Sequence, residues 1–238
     1  MKTLITLLLL LSLATLAQTR IIPFSTNPTV AGGGGATPFA TLDFEEGNPT
    51  DFDDSTGTIL ITTDAAYTGT YGLEITADAT YGIKNFTARD SCYVTFYMRF
   101  EDASWSGSGS TYLAWFELTA AEKTLVMCSN AGTTVTIWRA GSSGGNQEVL
   151  TTPASIVRQS WIYVKLYFKK GATSLHGVWF DEAGAQGAAL FTNGTTGVIE
   201  AAEDVQINAF HIGILSGVYP TGGSIYIDDI NLYDEDPD

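Results

Sequence analysis

Two runs of this chain alternate with a period of two, and nothing else in the sequence constrains the fold as tightly. In CYVTFYMRF (92–100), Cys92, Val94, Phe96, Met98 and Phe100 share one parity, and Tyr93, Thr95, Tyr97 and Arg99 share the other. In WIYVKLYF (161–168) the split recurs, with Ile162, Val164, Leu166 and Phe168 against Trp161, Tyr163, Lys165 and Tyr167. Successive side chains of a strand point to opposite faces, so each run is a strand with one face in a core. The other face is aromatic and basic in both runs. If the two strands share a sheet, Tyr93, Tyr97, Arg99, Tyr163, Lys165 and Tyr167 form one patch, a candidate ligand surface. The same tyrosines also suit plain cross-strand packing, because they are good strand residues on any half-exposed face.

Turn clusters such as Gly47-Asn48-Pro49, Thr68-Gly69, Gly141 to Asn146 and Thr221 to Gly223 separate further short runs rich in Val, Ile, Thr and aromatic residues. That spacing predicts an all-β fold, an antiparallel two-sheet β-sandwich. Only 199–204 offers a short helical turn. The 238 residues suit one large sandwich, and 45% hydrophobic against 16% charged residues excludes a disordered chain. The formal charge of −15 repels a phosphate backbone, and no basic run offsets it, so nucleic acid is excluded as an expected partner.

Residues 1–17 pair one Lys with an apolar run and end in Thr15-Leu16-Ala17, the pattern of a cleaved signal peptide. The expected product is secreted into an extracellular space, with no membrane insertion, because the run is short for a span. Residues 18–38 hold three prolines and four consecutive glycines, an arm or linker ahead of a domain at 39–238. RIIPF (20–24) on this leash could add a strand to another copy, giving self-assembly through residues 18–38, or could be a disordered leader. Cys92 and Cys128 are the only cysteines, and export leaves their pairing open.

The last apolar run, SIYIDDINLY (224–233), breaks parity: Ile225 and Ile227 share one face, Ile230 and Leu232 the other. A β-bulge near Asp228-Asp229 restores both pairs to one core. Together with LDFEEGN (42–48), AAYTGTYGLEI (65–75), YVTFYMRF (93–100) and WIYVKLYF, this ending resembles the concanavalin A-like, laminin-G-like jelly rolls from about Phe39 to Tyr233. YTGTYGLEI and YIDDINLY look like jelly-roll carbohydrate-binding modules, in which an early acid and a late acidic pair hold a structural calcium. The resemblance implicates Glu45 and Asp228, with Asp43 or Asp229 as helpers, and calcium accepts six to eight oxygens in tolerant geometry.

Enzymes of this fold set a test for catalysis. A laminarinase-type glycosidase needs paired acids on one strand, roughly ExDxxE, and no such string is present. YFKKG (167–171) and QIN (206–208) are similar to two alginate-lyase motifs, but their order is reversed and QIN lacks the motif's His. His176 and His211 both lie in strand-like runs, where a packed imidazole is commoner than a catalytic one. There is no GxSxG, HExxH or CxxC. Trp105 sits in the polar segment EDASWSGSGSTY and Tyr219 in GVYPTGG, so both are candidate ligand contacts.

These features predict a secreted, non-catalytic module that binds a polysaccharide or surface glycan. The alternatives are a polysaccharide lyase or glycosidase of the same fold, and a surface or filament subunit that assembles through its arm.

Overall fold

A computed structural model describes residues 36–101, 104–106, 110–119, 123–130, 134–139, 147–151, 159–171, 175–181, 191–192, 205–215, 219–221 and 223–237. Residues 1–35, which hold the expected signal segment and most of the expected arm, lie outside the described residues. The described residues form one compact unit.

Strands build two antiparallel sheets. The first contains β1 (Ala40–Leu42), β3 (Leu60–Thr62), β4 (Gly72–Ile75), β6 (Ser91–Phe100), β12 (Ile162–Lys169), β13 (Leu175–Asp181), β14 (Phe191–Thr192) and β17 (Ile225–Tyr233), in the order β14-β13-β12-β6-β17-β4-β3 with β1 also on β17. The second contains β2 (Asp54–Thr56), β5 (Thr80–Arg89), β8 (Ser110–Leu118), β9 (Lys123–Asn130), β10 (Thr134–Arg139), β11 (Gln147–Thr151) and β15 (Ile207–Ile214), in the order β11-β10-β9-β8-β15-β5-β2. A small ribbon pairs β7 (Ser104–Trp105) with β16 (Pro220–Thr221).

The alternation of the two diagnostic runs decides the centre of the first sheet. β6 and β12 pair directly, with Val164 opposite Phe96 and Leu166 opposite Val94, so both apolar parities face inward. Cys92, Val94, Phe96, Met98 and Phe100 are fully buried, as are Val164, Leu166 and Phe168. From the second sheet Phe116 and Phe210 meet them: ring centroids lie 6.1 Å apart for Phe116–Phe168 and 6.4 Å for Phe96–Phe210. Each such ring removes a large apolar area from water, the main favourable contribution to folding. Cys92 is a free, buried thiol whose pKa burial pushes up to about 12. The side chain of Cys128, on β9 of the other sheet, lies outside the described structure.

The parity break of the last run is a bulge. Asp228 pairs with Tyr97 and Asn231 with Thr95, with two residues of β17 between them and one of β6. Asp229 adopts φ 52°, the left-handed conformation that Asp tolerates better than most residues. As a result Ile225, Ile227, Ile230 and Leu232 all reach the core.

Candidate functional site

The outer face of β6 and β12 assembles the expected tyrosine patch. Tyr97 lies opposite Tyr163, Thr95 opposite Lys165 and Tyr93 opposite Tyr167. Tyr93 and Tyr167 stack at 4.1 Å, Tyr97 and Tyr163 meet at 5.3 Å, and Tyr67 stacks on Tyr97 at 3.8 Å. The Arg99 guanidinium lies 5.0 Å from the Trp161 ring and 4.5 Å from that of Tyr226. This face is largely closed upon itself: Tyr163 is 5% exposed and Lys165 3%, with Lys165 Nζ 2.9 Å from Asp236 Oδ1. Burial raises the phenol pKa values of Tyr93, Tyr97 and Tyr167, so the rings stay neutral.

Trp105 and Tyr219 come together through the ribbon. Trp105 pairs with Pro220, the Ser106 amide donates to the Tyr219 carbonyl at 2.9 Å, and the Tyr219 amide donates to Ser106 Oγ at 3.1 Å. The Tyr219 ring packs partly buried against the core, while the Trp105 side chain lies outside the described structure.

The four acids expected to hold calcium gather where the chain's first and last strands meet. Asp228 is fully buried; its Oδ2 accepts from the Tyr67 and Thr68 amides (2.7 and 3.1 Å) and its Oδ1 from the Asp229 amide (2.8 Å). Glu45 accepts from the Thr70 amide at 2.8 Å and the Tyr71 amide at 3.2 Å, and Asp229 from the Thr68 hydroxyl at 2.8 Å. Asp43 accepts from the Glu45 amide at 3.2 Å. Burial and the neighbouring Asp229 push Asp228 up to about 7. Burial raises Asp229 as well, with Asp43 and Glu45 adding to it, whereas the Thr70 amide lowers Glu45. No three carboxylate, imidazole or thiol groups among the described residues converge on one metal-sized point.

A further cluster lies on the outer face of the second sheet. On β15, Phe210, Ile212 and Ile214 take the core, which turns His211 outward, opposite Trp115 of β8. The imidazole stacks on the indole at 4.7 Å, and Tyr81 of β5 closes against both rings at 5.1 and 5.9 Å. Glu117 Oε2 lies 3.0 Å from His211 Nε2, but off the N–H direction, so the contact is electrostatic rather than a hydrogen bond. Burial, aided by the Lys123 ammonium, pushes His211 down to about 4 and outweighs the nearby carboxylate. The neutral ring therefore offers one donor and one acceptor. Both nitrogens, together with Trp115 Nε1, are buried without a hydrogen-bond partner. Such atoms are uncommon in folded proteins and mark a place where a missing partner belongs. Nothing in the sequence showed that β8 and β15 are neighbours, so the pairing of Trp115 with His211 emerges only in the fold.

No family sequence model matches the chain, and no curated protein matches it in sequence. In three dimensions it is similar to the endo-β-1,4-glucuronan lyase of the fungus Trichoderma reesei, at 17% identity and TM-score 0.60 over 85% of this chain and 99% of that one. The PL-14 alginate lyase of Aplysia kurodai follows the same path at 9% identity and TM-score 0.63, over 83% and 99% of the two chains. The fold is a jelly-roll β-sandwich. The binding domain of botulinum neurotoxin serotype D shares this jelly roll at 10% identity and TM-score 0.58, covering 84% of this chain and 48% of that one. At these identities the likeness is one of fold, so any function has to be argued from the jelly roll's own side chains.

Proposed function

We propose that this chain is an exported jelly-roll protein that recognises a polysaccharide, without cleaving it, on the outer face of β5, β15 and β8. The observation that carries this reading is the row of buried ring nitrogens on His211 and Trp115 that lack partners. Trp115 and His211 are only 1% and 5% exposed, so a sugar lies with its C–H face against the half-buried Tyr81 and completes these hydrogen bonds only as the two rings turn outward. The reading is supported by a fold shared with proteins that act on glucuronan and alginate. Glu117 favours binding over elimination: a carboxylate 3.0 Å from the imidazole repels the uronate that a lyase must hold beside its base. A lyase reading keeps one observation, the neutral His211 with Tyr81 at 5.9 Å, a base and a phenol on one face.

A glycan panel applied to the purified domain, with soluble unsaturated product measured in the same wells, separates the two. Binding without product supports recognition; product overturns it. A structural calcium on Glu45, Asp43, Asp228 and Asp229 is carried by the resemblance alone, since these acids do not converge on one point and Asp228 is already held by three amides. Equilibrium dialysis of chelator-stripped protein tests it: one tightly held ion per chain is expected, and none removes calcium from the account.

A further inference from the structure

The residues after β17 run across the tyrosine face rather than away from it. Tyr233 pairs with Tyr93 on β6, and three residues later Asp236 reaches Lys165 on β12, the next strand over. Two strand spacings are about 9.6 Å, and three extended residues span about 10 Å, so the segment is long enough to cross the sheet, with the two side chains closing the remaining distance. Beside its start, Asp234 pairs with Arg89, whose guanidinium lies 3.7 Å from the Phe39 ring. Lys165 itself stands between two tyrosine pairs, Tyr93–Tyr167 and Tyr97–Tyr163, and its ammonium is 6.0 Å from the Tyr93 ring. An aromatic-walled ammonium, 3% exposed and holding a carboxylate at 2.9 Å, is a built carboxylate receptor. A second cation lies on the same face: Arg99, about 13 Å along the strand direction, whose Nη2 donates to the Asp64 carbonyl at 2.9 Å.

We propose that this slot is a binding site for the carboxylates of an acidic, uronate-containing polysaccharide, and that Asp236 is an intramolecular occupant which an external chain displaces. A tethered carboxylate competes at a high effective concentration, so the intact protein holds the slot closed to weak ligands. A sugar chain lying across the strands takes the path of residues 233–236, with its rings on the Tyr93–Tyr167 stack and its carboxylate on Lys165. The site lies on the opposite face of the sandwich from His211, so its failure leaves the proposed function untouched.

The test is calorimetric titration at low salt with hexaglucuronate, with cellohexaose as the neutral control and a peptide of residues 233–238 as the protein-tail control. Asp236 is exposed, so Asp236→Asn keeps the fold, which an unchanged melting cooperativity verifies. Expected is hexaglucuronate binding at least tenfold tighter to Asp236→Asn than to wild type, weakened by salt, and lost when Lys165→Gln is added. Equal affinity in the wild-type and Asp236→Asn proteins overturns the proposal. So does binding indifferent to Lys165→Gln, cellohexaose binding as tight as hexaglucuronate, or capture of the peptide alone.

Discussion

His211 and Asp228 are buried ionisable groups that pull stability in opposite directions as pH changes. An unfolded imidazole titrates near 6.5 and the folded one near 4, so between these values the unfolded chain binds more protons and stability falls as pH drops. Asp228 titrates near 3.8 unfolded and near 7 folded, so across that window the folded chain binds more protons and stability rises as pH drops. Over the shared range of about 4 to 6.5 the two contributions oppose each other. Removing one exposes the other: in chelator, acidification from pH 7 to 5 should raise the melting temperature of His211→Asn and lower that of Asp228→Asn. Scanning calorimetry at both pH values checks this. Asp228→Ala should cost about 3 kcal/mol or more, because three amides lose their acceptor; urea unfolding reads that cost.

At the scale of elements, the junction between the start and end of the domain depends on the loop 67–71 that feeds β4. Gly69 in that loop has φ 66°, and a Cβ there would meet Glu45 Oε1 at 2.2 Å. Gly69→Ala should therefore lower stability by about 1–3 kcal/mol and loosen the Glu45 contact, measured as a melting shift and faster exchange of the Thr70 amide. The β6–β12 pairing and the β17 bulge were legible in the sequence, because a period of two and a single break in parity are local signals. The amides that hold Asp228 and Glu45 were not. Apart from the adjacent Asp229 amide, they come from residues about 160 and 25 positions away, and no short-range pattern encodes that approach. For the same reason the sequence marked the tyrosine face, where two alternating runs happened to be neighbours, and missed the His211–Trp115 pair, whose residues lie on runs that no local signal pairs.

For the whole molecule, the sandwich carries two outer faces of unlike character. The first sheet's tyrosine face is packed against itself and strapped by an acidic segment; the second sheet's face buries three ring nitrogens that want partners. A fold shared by lyases and a toxin binding domain does not select between cutting and holding, so the second face has to decide. The deciding measurement is polysaccharide binding by wild type, His211→Asn and Trp115→Phe, with ultraviolet detection of unsaturated sugar ends in the same samples. Trp115→Phe keeps an aromatic ring but removes the N–H together with part of the buried indole, so an unchanged fold is checked first, and the lost N–H should weaken binding about tenfold, or 1.4 kcal/mol. The account predicts binding without product by wild type and weaker binding by both variants; product from wild type that His211→Asn abolishes, or binding indifferent to both substitutions, would contradict it.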